Sequence, residues 1–367
     1  MEWTDIIERL LAGEDLSYEQ TYAVMDRVMK LAAFLTALSA KGPYVSEIRG
    51  LADGMQDHAE PVDVPTDVLD IVGTGGDGAH TVNISTMSAI VLAAAGVPLV
   101  KHGNRASTSS CGSADVIEEL GIKIDLSPSG VAQVFDELGI TFLFANKFHP
   151  SMRFAATVRR ALGFPTAFNI LGPLTNPAKP ETSAIGVANE SHAPLMAGVF
   201  AQRGQSALVF RGKNHGLDEL SSIEPAQIWA VHDGEITFSE IDPVAEFGMK
   251  RGTLEDLRGG KAHENAKVVY RIMDGEESPI RDAVLLNVAA GLAAFGRHDG
   301  VGPTHGSLTD RCAPVSIWRA RRSTVVRQLI CSSGGSRSPR RPHSRPRWNA
   351  SSRSWDANER NAICVRI

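Results

Sequence analysis

The sequence predicts an α/β protein with a small N-terminal helical domain and a larger α/β domain, whose mostly parallel central sheet is flanked by helices. Three observations predict it. Apolar residues recur at helical spacing through the first sixty-odd positions, short apolar strands alternate with helical stretches beyond about residue 67, and a glycine loop follows the first strand. Alternation of this kind implies parallel pairing, because a strand–helix–strand crossover returns the chain in its original direction.

Taken in order, Ile6, Ile7, Leu10 and Leu11 share a helical face, "SYEQTYAVMDRVMKLAAFLTALSAKG" continues the pattern, and "VSEIRGLADGMQDHA" opens another amphipathic stretch. "PVDVPTD" reads as a linker. The strand "VLDIV" leads into the glycine loop, the helix "STMSAIVLAAAG" ends at Gly96, and "VPLVKH" is the next strand. Then come "ADVIEELG" as helix, "IKIDL" as strand, "SPSGVAQVFDELG" as a capped helix and "ITFLFA" as strand. A later strand, "SALVFRG", runs into "KNHGLDEL". These elements divide the chain into a helical domain over 1–66, completed by a helical segment near 160–185, an α/β domain over 67–300 and an atypical tail over 301–367.

With 367 residues, 43% of them hydrophobic and 22% charged, the chain can bury a sizeable core. It has no apolar run of membrane-spanning length, an acidic rather than basic start, and four cysteines without metal-like spacing. These features predict a cytoplasmic protein without a membrane partner. The formal charge of −5 conceals an asymmetry. Residues 301–367 hold 13 Arg, no Lys and 3 acidic residues, so the tail carries +10 and the body −15.

The loop "DIVGTGGDGAHTVNIST" satisfies G-x-G-x-x-G through Gly73, Gly75 and Gly78, and its free amides with the following helix N-terminus form an anion site. A dinucleotide site also needs an acid about 20 residues on to hold a ribose. Here the second strand ends in "LVKHGNR", placing Lys101 and Arg105 there, while Asp77 puts a carboxylate inside the loop that would repel a bare pyrophosphate. A divalent cation, or ribose hydroxyls for Asp77 to accept from, removes the conflict. Both features point to a phosphorylated sugar bearing a pyrophosphate.

"GTGGDG…TVNIST", "KHGNRASTSSCGSAD", "HPSMRFAATVRRALGFPTAFNILGPLTNP" and "GLDEL", in unbroken order from about Leu35 to Gly296, resemble the anthranilate phosphoribosyltransferases, enzymes of tryptophan biosynthesis. The resemblance implies a pentosyl transfer: the phosphoribosyl group of phosphoribosyl pyrophosphate moves to the amine of anthranilate, giving N-(5-phosphoribosyl)anthranilate and pyrophosphate. It implies donor contacts from Gly73, Gly76, Asp77, Thr81, Asn83, Ser85, Thr86, Lys101, Asn104, Arg105, Ser107 and Ser113. Ser85 and Thr86 equally suit plain helix capping. Asp218 and Glu219 match the family's magnesium carboxylates, with Ser85 a further ligand, and two ions are expected. For anthranilate the resemblance points to Gly73, His102, Asn104, His149, Arg159, Gly172 and Pro173, with Arg159 gripping the carboxylate in a fork that lysine cannot copy. No protein nucleophile is expected. A homodimer through the N-terminal helices is implied as well, although here "DRVMK" runs straight into "LAAFLTAL" where relatives carry a short polar loop.

Beyond "RDAVLLNVAAGLAAFG" the family's alanine-rich helices give way to "SSGGSRSPRRPHSRPRWNASSRSW", which has no periodicity. The change reads as a shift of reading frame near His298–Thr304, or else as a disordered basic extension. It is expected to leave Val284, Leu285, Val288 and Leu292 partly exposed. The tail also raises a rival reading, a nucleic-acid-binding relative without transferase activity, which the −15 body opposes. A pyrimidine nucleoside phosphorylase is the other rival, and "KHGNR" with "NILGPLTNP" favours the transferase over it.

Overall fold

The structure, a computed structural model, describes residues 12–14, 17–106 and 110–296. The helix expected around Ile6–Leu11, Ser107 and the basic tail lie outside these residues.

Two helices lead the described chain. Helix α1 (Tyr18–Lys41) starts at a Ser17 cap whose hydroxyl accepts from the Gln20 amide while the Gln20 side chain answers the Ser17 N–H, and it stops at Gly42. It is one unbroken 24-residue helix, so "DRVMK" and "LAAFLTAL" are continuous. Helix α2 (Val45–Asp57) buries Ile48 and Ala52.

The body is a seven-stranded sheet ordered β3-β2-β1-β4-β5-β6-β7. Strands β1 (Leu69–Gly73), β2 (Leu99–Gly103), β3 (Ile140–Phe144), β4 (Thr182–Gly186) and β5 (Ser206–Gly212) pair in parallel. Strands β6 (Ala226–His232) and β7 (Glu235–Ile241) continue the sheet antiparallel. Their turn is Asp233-Gly234, both at positive φ, the dipeptide that suits a two-residue hairpin. "IKIDL" is not a strand: β3 already occupies the edge beside β2, and Ile124 enters the core from irregular chain instead.

Helices α3 (Ile84–Ala94), α4 (Ser113–Glu119) and α5 (Pro128–Leu138) follow the early strands. Ser127 caps α5 with proline at its start and left-handed Gly139 at its end. Then come α6 (Ala145–Phe148), α7 (Met152–Leu162), α8 (Phe168–Leu174) and α9 (His192–Arg203). The last group is α10 (Pro243–Phe247), a 3₁₀ turn at Glu255–Leu257, α11 (Ala262–Met273) and α12 (Pro279–Phe295). Helix α7 packs on α1, and α8 and α9 pack on α2. The helical part is tied down by Arg203, which pairs with Asp53 at 2.6 Å, and by the Gln56 side chain donating to the Asn176 carbonyl.

One core cluster lies beneath α3, α11 and α12, and a second joins α2, α8 and α9 to the opposite sheet face. Val284, Leu285, Val288 and Leu292 are all buried, contrary to the exposure expected from the sequence. Helix α12 is central: it packs across α3, β1, β4 and β5, and is apolar nearly all round. Among the described residues no helix is long and apolar enough to cross a membrane.

Candidate functional site

The carboxyl ends of β1, β2 and β4 converge, which is where an open parallel sheet forms its ligand crevice. The chain leaves β1 into the glycine loop, with Gly75 and Gly76 at φ 70° and 85°. The "GLDEL" turn after β5 lies directly on this loop. Asp218 Oδ2 accepts from the Gly75 N–H at 2.6 Å, and Glu219 Oε1 accepts from the Ser85 N–H at 3.1 Å, in the first turn of α3. Both acids are buried. Burial raises the Asp218 carboxyl well above the ordinary range, and the nearby Asp77 and Glu219 charges add to it. Burial also raises Glu219, to about 8, against the pull of Lys101.

Asp77 caps its own turn through Oδ1 to the Ala79 N–H, while its Oδ2 is buried without a hydrogen-bond partner. Thr86 Oγ1 is likewise buried and unpartnered. Three carboxyl groups stand together at one loop, and their hard oxygens are of the kind that suits magnesium. Among the described residues no set of three or more His, Cys, Asp or Glu side chains could hold a metal ion unaided.

Lys101 enters from β2, buried, donating to the Ile71 carbonyl at 2.5 Å and to Ser85 Oγ at 3.3 Å. Burial lowers its pKa, while Asp70 and Glu219 pull it back up. Asp70, fully buried in β1, accepts from the His102 N–H at 3.3 Å and from Asn176 Nδ2 at 2.9 Å. Burial raises its carboxyl to about 6. Neither Asp70 nor Asn176 was expected at the site. A single acid inside the apolar strand "VLDIV" was the available signal for Asp70; Asn176 gave none.

Of the acceptor candidates, His102 from β2, His149 from the segment before α7 and Gly172 from α8 come together. His102 Nδ1 stands 3.1 Å from the Gly172 carbonyl, and its Nε2 is buried and unpartnered. The His102 and His149 rings are 5.2 Å apart between centroids, and His149 Nε2 lies 2.7 Å from the Thr175 carbonyl. Burial drives the His102 pKa down to about 3 and lowers that of His149, so both rings are neutral near pH 7. Arg159, on α7, stacks over Phe168 with Cζ 5.4 Å from the ring centroid, and burial lowers its pKa. Pro173 is buried within α8, and Gly172 borders open space.

The remaining expected residues are partly committed elsewhere. Asn83 donates to the Cys111 carbonyl and accepts from Asn265 Nδ2, while Thr81 bridges Arg258. Asn104 donates to Asn146 Oδ1, and its carbonyl accepts from the Ser113 hydroxyl. Arg105 turns to Asp115 and Glu118 on α4, at 3.0 and 2.8 Å.

The glycosyl transferase family a/b domain model matches residues 65–309, and the family's helical bundle domain model matches 4–59. An anthranilate phosphoribosyltransferase of Arthrobacter sp. (strain FB24) is 52% identical over 88% of this chain and 91% of its own length. The crystal structure of the enzyme of that name from Thermus thermophilus superposes with a TM-score of 0.72 at 38% identity, covering 88% of this chain and 96% of the other. The Saccharomyces cerevisiae enzyme in complex with PRPP and Mg matches at TM-score 0.71 and 28% identity, over 87% of this chain and 88% of that one. The same yeast enzyme is also solved with 4-fluoroanthranilate. These names favour neither the phosphorylase nor the nucleic-acid-binding reading, and the shared fold, loop and acid turn agree with them: the chain belongs to the anthranilate phosphoribosyltransferase family.

Proposed function

We propose that the chain transfers the phosphoribosyl group of phosphoribosyl pyrophosphate to the amine of anthranilate, releasing pyrophosphate. The observation that carries this reading is the pair Asp218 and Glu219, buried and bonded to the amides of Gly75 in the glycine loop and of Ser85 at the start of α3. A loop built for a bare dinucleotide pyrophosphate gains nothing from acids held against its amides. A loop that takes a pyrophosphate together with a cation does.

Asp218, Glu219 and Ser85 would hold magnesium, in two ions, and bound there it would neutralise pyrophosphate charge. The loop amides and Lys101 face the same leaving group. As the donor C1–O bond breaks, its electron pair leaves with pyrophosphate and C1 takes on positive character; the anthranilate nitrogen then closes the C1–N bond. The amine proton passes to pyrophosphate or solvent, since an alkylated aniline nitrogen sheds it readily. Alignment falls to Arg159 at the acceptor carboxylate and to His102, His149, Gly172 and Pro173 around the ring, so much of the barrier reduction is positional.

The same reading makes the chain cytoplasmic, with a helical unit over 1–66 and an α/β unit over 67–300. It makes the protein a homodimer through the N-terminal helices, where Tyr18, Phe34 and Tyr44 are exposed. Light scattering on the purified protein tests the dimer, a monomer mass counting against it. For the reaction, anthranilate fluorescence falls only when phosphoribosyl pyrophosphate and magnesium are both present; loss with either omitted, or no loss with both, rejects it. Asp218→Asn with Glu219→Gln abolishes magnesium-dependent turnover and leaves the circular dichroism spectrum intact. Undiminished activity in that double variant removes the metal assignment.

A further inference from the structure

The loop taken to bind the donor is held from its outer side by a segment about 180 residues further along the chain. Residues 80–83 run antiparallel to residues 257–259. The Gly259 N–H donates to the His80 carbonyl at 2.8 Å, the Val82 N–H donates to the Leu257 carbonyl at 3.0 Å, and Thr81 bridges Arg258. The contact is backbone on backbone. A Cβ on Gly259 would stand 2.8 Å from the Thr81 carbonyl oxygen and 2.9 Å from Val82 N, with no flexible side chain to yield.

Where this short ladder ends, a buried asparagine on α11 takes over. Asn265, 2% exposed, donates from Nδ2 to Asn83 Oδ1 at 2.9 Å, while its Oδ1 accepts from the Gly260 N–H at 2.8 Å. Asn83 completes the chain by donating to the Cys111 carbonyl at 3.1 Å. One side chain therefore ties together the glycine pair that ends the ladder and the N-cap residue of α3. Because Asn265 donates, it also fixes which end of the Asn83 amide faces it: Oδ1 is turned to Asn265, and Nδ2 to Cys111.

We infer that residues 257–265 form a clasp that sets the glycine loop in its donor-binding shape, with Asn265 a positioning residue that acts through Asn83 and touches neither substrate. The inference rests on the donor site proposed above. Its consequence is selective: loosening the clasp weakens phosphoribosyl pyrophosphate, most of whose candidates lie on the loop, and largely spares anthranilate, whose candidates apart from Gly73 lie away from residues 80–83 and 257–265.

The test compares Asn265→Asp, Asn265→Ala, Asn83→Ala and the double variant Asn83→Ala/Asn265→Asp with the unaltered chain. Donor affinity is read by calorimetry with phosphoribosyl pyrophosphate and magnesium, both KM values by anthranilate fluorescence, and Tm in parallel. Asn265→Asp keeps the acceptor for Gly260 and removes the donor to Asn83, so it serves even where Asn265→Ala does not fold. The expected result is a donor Kd and KM raised at least fivefold, an anthranilate KM changed less than twofold, and a double variant no worse than Asn83→Ala alone. Additive effects, equal changes in both KM values, or a lowered Tm with unchanged donor affinity overturn the clasp. If the unaltered chain binds the donor yet consumes no anthranilate, the proposed reaction fails and the calorimetric comparison still decides the clasp. If it binds no donor, both fall.

Discussion

Arg159 is the cation chosen to separate the two substrates, because it stacks on Phe168 of α8, the helix that carries the acceptor candidates Gly172 and Pro173. Arg159→Ala should raise the anthranilate KM about tenfold or more while moving the donor KM little, since charged hydrogen bonds worth about 1.5–3 kcal/mol are lost on one substrate only. Steady-state kinetics with each substrate varied in turn check this, and a selective loss of donor binding moves Arg159 to the other half of the site. His102 carries a separate prediction. Its folded pKa of about 3 lies below the unfolded value near 6.5, so below pH 6.5 the unfolded chain takes up a proton that the folded chain refuses. Stability is therefore lost as pH falls from 6.5 toward 3, by about 2 kcal/mol at pH 5 from this one group. Neutral His149 acts in the same direction, whereas Asp70, raised to about 6, acts in the opposite one. The check is the Tm–pH slope of His102→Gln beside that of the unaltered chain: it should be flatter, and equal slopes remove His102 from the account.

At the scale of elements, β4 decides where the acid turn sits, although the site candidates had not included it. A Cβ on Gly186 would lie 1.6 Å from the Asp218 carbonyl oxygen, so the "GLDEL" turn crosses the end of β4 in direct backbone contact. Gly186→Ala should cost about 1–3 kcal/mol and displace the turn, lowering turnover more than tenfold without altering any group that meets substrate. Thermal melts and kinetics on the same preparation decide it; wild-type turnover in a destabilised variant would show that the turn tolerates the shift. Strand β4 itself was unread in the sequence because five residues between a proline-rich turn and a helix have no period to reveal them. The β6–β7 hairpin carries a local signal in its Asp-Gly turn.

For the whole molecule, the question is what the C-terminal region adds to a body closed by α12. Val284, Leu285, Val288 and Leu292 are buried, and α12 packs on α3, β1, β4 and β5. A chain ending at residue 304 should accordingly lose less than about 1 kcal/mol, a Tm change of no more than about 2–4 °C. Differential scanning fluorimetry measures it. Unfolding on truncation, or protection of residues 305–367 from protease equal to that of the body, would show that the tail takes part in the packing.

Local rules determined a large part of this protein. Capping at Ser127, helical periodicity and short apolar runs were enough to place β1, β2 and β3 and the helices between them, while the same rules gave "IKIDL" as a strand that the sheet leaves out. Asp77 in the glycine loop, with Lys101 and Arg105 at the end of the second strand, pointed to a phosphorylated sugar bearing a pyrophosphate, because such patterns depend on neighbours a few residues away. Which groups meet was decided only in three dimensions. Asp218 and Glu219 are singled out in the sequence only by the family resemblance, and it is the sheet order that sets them on the amides of Gly75 and Ser85. Asp70 became the partner of His102 and Asn176 through pairing across β1 and β2 and a loop 106 residues away. Asn265 reached Asn83 only because α11 packs beside α4. The physical reason is the same each time. A buried polar group must find a hydrogen-bond partner, and a one-dimensional pattern shows the need for one without showing which distant residue the fold will supply.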